Sequence, residues 1–377
     1  MNRIIRIIRS LVLVLLAIAI CLVGCNTQEA QEDEKQTEIR QQNMRSIVDI
    51  YTTYPGETEG SVFNSFGSGV ILDKTENGDV YIATNLHVVS GGLKADGQYE
   101  EGSSATVSFH GAGKNNGIQA EVIGFYKNFD IAVLFVEEFA KKFPIICPID
   151  TTVVVVPEET DTIRVVGNAL GKGVSVTEGI VSVASEYIGM SVSYQFEPIT
   201  IRQIRVDASM NQGCSGGGVF NKSGEFIGMV NARSSKEGVD DFGYVIPSAT
   251  VLPLCSKIIE KHKTGSGEVA LFNFGAKFVE SKPTFTWVEE DSLIKSEYLV
   301  LVSEVSVGKI ASVFLEKDDI VKSITVNQKE YLLSREYEVN NVCYQIKTGD
   351  QITVKYIRSG ISLEYAFTVD QSYMVKN

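Results

Sequence analysis

Val206-Asp207-Ala208-Ser209-Met210-Asn211-Gln212-Gly213-Cys214-Ser215-Gly216-Gly217-Gly218-Val219-Phe220 is the stretch on which the fold of this chain turns. A serine nucleophile carried on a loop needs a glycine two positions earlier. That glycine lets the backbone N–H groups of both residues face the spot where negative charge develops. Glycines just after the serine keep side chains clear of an approaching backbone. Gly213-x-Ser215-Gly216-Gly217 meets both demands, with Ser215 as nucleophile and the amides of Gly213 and Ser215 as the oxyanion hole. Gly-Ser clusters also occur in plain turns, so the motif alone leaves an ordinary loop open. Cys214 is a chemical rival, but the glycine spacing puts Ser215 in register. Cys214 itself reads as a small side chain facing away, with an oxidation-sensitive point as the alternative.

A serine nucleophile requires a base and an acid to orient it, and the chain has only three histidines. His262, in Glu260-Lys261-His262-Lys263, sits at a charged helix end and reads as solvated. His110 closes the alternating run Thr106-Val107-Ser108-Phe109 and reads as a surface residue at a strand end. His87, in Thr84-Asn85-Leu86-His87-Val88-Val89, follows a strand among apolar residues. A lone histidine there is often structural; with the serine motif downstream it becomes the leading general base. Asp130 opens the apolar run Ile131-Ala132-Val133-Leu134, where a partly buried carboxylate needs a partner that His87 would supply. A strand-start turn residue is the competing role. The order His, Asp, Ser matches the chymotrypsin arrangement, in contrast to the Ser, Asp, His order of the α/β-hydrolases.

Outward from these residues the pattern is mainly β. Between Arg45 and about Ile259, short apolar runs such as Gly69–Leu72, Val80–Ala83, Ile131–Val136, Ile163–Val166, Ile180–Val183, Ile201–Val206 and Phe226–Val230 are separated by turn signals. That spacing predicts an all-β sandwich or barrel, and the length suits a double β-barrel. A helix over Ala249–His262 closes the region, and residues 263–270 read as a linker. A second unit, 271–377, carries strands and a short helix around Lys309–Leu315.

The blocks Gly67-Ser68-Gly69-Val70-Ile71, Thr84–Val89, Asp130–Leu134, Val166-Gly167-Asn168-Ala169-Leu170-Gly171, Thr177-Glu178-Gly179-Ile180-Val181-Ser182, the nucleophile segment and Gly243-Tyr244-Val245-Ile246-Pro247 occur in one order. Together they resemble the HtrA (DegP-like) family of extracytoplasmic serine proteases. The resemblance implies a chymotrypsin-like double β-barrel over 45–262, with His87 as base, Asp130 as orienter and Ser215 as nucleophile. It also implies unfolded or misfolded proteins as substrates, no cofactor and a homotrimer. An inactive chaperone or peptide-binding module is the alternative. The family's usual Asn-Pro-Gly-Asn-Ser-Gly-Gly reads Asn211-Gln212-Gly213-Cys214-Ser215-Gly216-Gly217 here, and loss of the proline predicts a more mobile oxyanion loop. Gly91–Ser104 reads as a polar surface insertion. The pocket for the cleaved residue is expected to be walled by Val230, Asn231, Ala232 and Tyr244 and to take small or medium apolar side chains. Asp207 lies eight positions before Ser215, outside the place of a trypsin-like specificity acid.

Ser306-Val307-Gly308-Lys309-Ile310-Ala311, Leu315–Val321 and Lys347-Thr348-Gly349-Asp350-Gln351-Ile352-Thr353-Val354 resemble a PDZ domain of the HtrA type. Such a PDZ-like α+β domain implies binding of peptide C-termini by strand addition, with Phe274-Gly275-Ala276-Lys277-Phe278 as the candidate carboxylate loop.

Residues 1–24 carry Arg3, Arg6 and Arg9, no acid, and an apolar run from Leu11 to Val23 ahead of Gly24-Cys25. This has the form of a secretory signal, and Leu22-Val23-Gly24-Cys25 resembles the bacterial lipobox, which implies lipidation of Cys25 and a cell-membrane anchor on the extracytoplasmic face. An uncleaved anchor is the other possibility. Residues 25–44 read as an acidic polar tether. With the three arginines removed, the formal charge of the 377-residue chain falls from −13 to −16. So acidic a surface argues against nucleic acid as a partner. Cys147, Cys214, Cys255 and Cys343 are widely spread with no CxxC, so no metal site is expected and the thiols read as mostly free and buried.

Overall fold

The computed structural model describes residues 31–375 apart from 57, 59–60, 196, 234–241, 268 and 289–292, and the signal segment and Cys25 lie outside the described residues. The chain is mainly β. Strands β1 (Ile47–Pro55), β2 (Val62–Lys74), β3 (Val80–Thr84), β4 (Ser104–Ser108), β5 (Ile118–Tyr126) and β6 (Ile131–Val136) close an antiparallel barrel in the order β1-β2-β3-β6-β5-β4. A second closed barrel follows from β7 (Thr162–Gly167), β8 (Ser175–Met190), β9 (Ile199–Val206), β10 (Gly218–Asn221), β11 (Phe226–Arg233) and β12 (Gly243–Pro247), in the order β10-β11-β12-β9-β8-β7. Closure leaves neither sheet an unpaired edge.

The apolar runs read from the sequence fall inside β2, β3, β6, β7, β8, β9 and β11. Their β-branched residues, Ile71 and Ile82 in the first barrel and Ile163, Val165 and Ile204 in the second, fill the interiors together with Val48 and Ile50 of β1 and Val219 of β10. A third cluster, including Ile47, Val70, Phe220, Phe226 and Ile246, joins the barrels to one another and to a helix over Ser248–Thr264. That helix buries Val251, Leu254, Cys255 and Ile258.

Four local expectations need correction. The stretch read as a tether is helical over residues 31–45, and its face is held to the body. Arg164 donates to Gln36 at 2.7 Å, and Asn43 is 4% exposed. A polar composition does not bury a core, but Gln36 meets Arg164 and Met44 packs against the core that joins the barrels. The expected linker begins inside the closing helix, which runs to Thr264, and Val269 accepts a hydrogen bond from Tyr126 at 2.8 Å. His262 is exposed but engaged: its Nδ1 pairs with the Tyr81 hydroxyl at 3.1 Å, and its ring packs 4.7 Å from that of Phe135. The short helix near Lys309–Leu315 is a single 3₁₀ turn over Ile310–Val313.

Beyond the barrels, β13 (Leu271–Phe272) pairs with β22 (Met374–Val375). A sheet of β14 (Ala276–Glu280), β17 (Val300–Val305), β18 (Ile320–Val326), β20 (Gln351–Arg358) and β21 (Ile361–Thr368), with β19 (Lys329–Leu332) beside β18, packs on a helix over Glu336–Cys343. A hairpin of β15 (Thr284–Val288) and β16 (Leu293–Glu297) stands apart from it. The helix meets the second barrel through Arg202, which is 9% exposed, stacks 4.0 Å from the Tyr337 ring and donates to Asn341 at 3.1 Å. Among the described residues no helix is long and apolar enough to cross a membrane.

Candidate active site

His87 sits in a one-turn helix, Leu86–Val89, that follows β3 directly; Leu86, Val88 and Val89 are buried and fix its orientation. Asp130 is the last residue before β6, in a left-handed conformation with φ 52°. That conformation is uncommon for a residue with a side chain, and it aims the carboxylate back at the histidine turn. Asp130 Oδ2 lies 2.6 Å from His87 Nδ1, and Oδ1 accepts the His87 backbone N–H at 2.9 Å. The Asp130 carbonyl accepts from Asn85 Nδ2 at 3.1 Å and from the Leu86 N–H at 3.2 Å. The carboxylate is fully buried while the imidazole remains 29% exposed, so Nε2 faces the cleft. An aspartate on Nδ1 selects the tautomer whose Nε2 can take a proton.

A residue with no motif of its own covers this pair. Tyr194, in the turn between β8 and β9, donates its hydroxyl to the Lys127 carbonyl at 2.9 Å and lies 3.3 Å from Asp130 Oδ1. Burial first, then the neighbouring Asp130 charge, pushes the Tyr194 phenol well above its ordinary range, so it stays a donor.

Gly213 and Ser215 lie on the loop between β9 and β10. Gly213 has φ +97°, and a Cβ there would collide with the Asn168 carbonyl, which is why glycine stands there. The Gln212 carbonyl is held by the Leu170 N–H at 2.7 Å, the Gly213 carbonyl by the Ser68 hydroxyl at 2.7 Å, and the Cys214 carbonyl by the Gly217 N–H at 2.8 Å. In a trans peptide the N–H points opposite to the C=O, so the donors of Gly213 and Ser215 turn the other way. Among the described residues these two amides donate to no acceptor. The loop is thus anchored without the proline that the sequence lacks. Cys214 is 4% exposed, and burial raises its thiol above the ordinary range.

The Ser215 hydroxyl donates to the Asn231 carbonyl at 3.0 Å. Among the described residues His87 Nε2 makes no hydrogen bond. Of the expected pocket residues, Val230 and Asn231 are buried at 2% and 1% exposure, and Tyr244 is partly buried. Ala232 pairs with Tyr244 through the backbone of β11 and β12. Asp207 spends its carboxylate on the Ile180 N–H at 2.6 Å, away from that wall. Tyr194, Ser68, Leu170 and Asn85 were not assigned roles from sequence; the quoted blocks contain the last three, and Tyr194 lies in none of them.

Residues 67–229 match the family model of the trypsin-like peptidase domain. The chain is 29% identical over 318 residues to a serine protease Do-like HtrA of Bacillus subtilis (strain 168), covering 81% of this chain and 63% of that protein. It is 28% identical over 261 residues to a probable periplasmic serine endoprotease, DegP-like, of Bartonella henselae, covering 69% of this chain and 45% of that protein. Against the solved HtrA-type protease AlgW with decapeptide, the TM-score is 0.52 at 20% identity, covering 88% of this chain and 97% of the other. That likeness is one of fold.

Proposed function

We propose that this chain, which carries a trypsin-like peptidase domain and has HtrA- and DegP-like serine proteases as homologues, is a serine endopeptidase working through an acyl-enzyme. The observation that carries the proposal is the 2.6 Å contact of His87 Nδ1 with buried Asp130, beside which the Gly213 and Ser215 amides donate to no acceptor among the described residues. In the reaction, the Ser215 hydroxyl leaves Asn231 and turns to His87. Its oxygen attacks the peptide carbonyl carbon while Nε2 takes the proton, and the resulting oxyanion sits on the N–H groups of Gly213 and Ser215. Collapse expels the amine with the proton from His87. Water then repeats the sequence on the acyl-Ser215 ester.

The substrates proposed are unfolded or damaged extracytoplasmic proteins, with small or medium apolar side chains at the cleaved residue. The apolar lining at Val230 and the commitment of Asp207 to Ile180 support that preference. The protein is proposed to work outside the cytoplasm, tethered by lipid at Cys25. The basic and apolar start of the chain, and a relative described as periplasmic, support that location. A homotrimer remains the expectation from family resemblance.

The unit after the barrels is proposed to be PDZ-like and to take peptide C-termini. The edge strand β14 and the helix over Glu336–Cys343 flank a cleft of 370 Å³ whose lining includes Phe272, Phe274, Phe278, Val339 and Cys343. The solved AlgW carries a decapeptide, which suits this reading. A second reading, a peptide-binding module with weak proteolysis, is favoured by the Ser215 hydroxyl lying on Asn231. Labelling with a fluorophosphonate separates the two: modification at Ser215 supports the enzyme, and a chain that neither reacts nor cleaves casein is the binding module.

A further inference from the structure

Ser68 lies on β2 of the first barrel and is fully buried, yet every polar bond it makes leads to the catalytic loop or its supports. Its hydroxyl donates to the Gly213 carbonyl at 2.7 Å and accepts the Asn168 N–H at 2.8 Å. Its backbone N–H donates to the Ser215 carbonyl at 2.8 Å, and its own carbonyl accepts from Thr84 at 2.7 Å. One hydroxyl proton and one lone pair account for both side-chain bonds.

The two oxyanion N–H groups belong to the peptides 212–213 and 214–215. Between them lies the peptide 213–214, and its carbonyl is the one that Ser68 holds. The outer peptides are fastened by Leu170 and Gly217, backbone donors of the second barrel. The middle plane is held at one end by its Cys214 N–H on the Asn211 carbonyl at 3.0 Å and at the other by the Ser68 hydroxyl, the one side chain among these fastenings, and that side chain comes from the other barrel. Asn168 extends the brace: its Oδ1 accepts the Gly173 N–H at 2.8 Å, steadying the turn that carries the Leu170 donor. Leu170 itself has φ 61° and ψ 19°, a left-handed conformation costly for leucine, so the turn depends on such bonds to stay in place.

We propose that Ser68 is a positioning residue for the oxyanion hole, its hydroxyl clamping the Gly213–Cys214 peptide so that the Gly213 and Ser215 amides converge on one point. The proposal rests on the protease reading. Oxyanion donors act on the transition state more than on bound substrate, so loss of the clamp lowers kcat and leaves KM nearly unchanged.

The test is Ser68→Ala in the full chain. Loss of one oxyanion donor costs about 10²–10³ in kcat, and a donor merely released from its orientation is expected to cost about 10- to 100-fold, with KM shifted by less than about threefold. Affinity for a peptide boronate, whose tetrahedral adduct puts an oxygen in the hole, falls with kcat. Hydrogen exchange over residues 207–217 speeds up. If the alanine variant does not fold, Ser68→Cys, similar in shape with a feeble donor, carries the same measurements. Unchanged exchange overturns the proposal, and so does an unchanged kcat in a protein whose wild type is active. Faster exchange in a chain whose wild type neither cleaves casein nor reacts at Ser215 sinks the protease reading and leaves the clamp standing.

Discussion

The Ser215 hydroxyl donates to the Asn231 carbonyl at 3.0 Å, so the proposed nucleophile is parked on β11 while its proposed base, His87, is already paired with Asp130 at 2.6 Å. His87 and Asp130 are paired, while the Ser215 hydroxyl is bonded to Asn231. Formation of the reactive pair therefore exchanges one hydrogen bond for another, a change involving bonds of ordinary net worth of about 1 kcal/mol each.

Ser215→Ala removes the attacking oxygen and one bond to Asn231. Casein hydrolysis and fluorophosphonate labelling are expected to disappear, a loss of about 10⁶ in kcat by the usual cost of removing a serine nucleophile. The melting temperature stays close to that of the wild type. Persistent hydrolysis at the wild-type rate refutes the assignment of Ser215.

Asp130→Asn keeps the shape and can still accept the His87 backbone N–H, but an amide no longer selects the productive tautomer. The expected fall in kcat is about 10⁴-fold with little change in fold. A stopped assay with a peptide ester, alongside circular dichroism, checks both halves of the statement.

Cys214 is buried beside the nucleophile, and burial raises its thiol above the usual range. At pH 7 to 8 it is therefore protonated and a poor nucleophile. Iodoacetamide should modify the partly exposed Cys147 first and spare Cys214 in the folded chain. Peptide mapping by mass spectrometry reads the order, and early loss of Cys214 contradicts it.

Asp49 is fully buried on β1; one oxygen accepts the Gly111 N–H at 2.7 Å, and among the described residues the other has no hydrogen-bond partner. Burial raises its carboxyl above 3.8, against smaller opposing contributions from the Gly111 bond and nearby His110. The folded state then holds a proton that the unfolded state has released, so this residue's contribution to stability falls as pH rises from 3.8 through the raised value. Asp49→Asn should melt higher than the wild type at pH 8, with the gap closing toward pH 4. A lower melting temperature at pH 8 rules the account out.

Arg202 ties the second barrel to the helix over Glu336–Cys343 by stacking 4.0 Å from Tyr337 and bonding Asn341. A desolvated cation–π contact is worth about 2 kcal/mol, so Arg202→Ala should loosen the two units from each other. The check is calorimetry, where one transition is expected to split, together with faster proteolysis near Gly265-Ser266-Gly267.

Strand positions were legible because the apolar runs are local: β-branched residues between turn signals specify a strand wherever it docks. His87, Asp130 and Ser215 stood out as candidates because three histidines left little choice and the glycines around Ser215 have a steric purpose that can be stated without coordinates. The helix at residues 31–45 was missed because its fastenings are to distant residues, Gln36 to Arg164 and Met44 to the core between the barrels, and not to an apolar stripe along its length. Tyr194 was missed for a similar reason. It lies 64 residues from Asp130 on another barrel and belongs to no motif.

By itself, then, the sequence determined the mainly β class, singled out three candidate residues and the glycines the loop requires, all of which follow from local sterics and chemical valence. Tertiary structure alone decided how they are held: Ser68 grips Gly213 across 145 residues, and Ser215 rests on Asn231 rather than on His87. The first of those bonds depends on how two closed barrels dock, the second on how a loop folds over a neighbouring strand of its own barrel. A closed sheet satisfies its own backbone, so no run of residues within one barrel encodes which side chain will meet the other's loop.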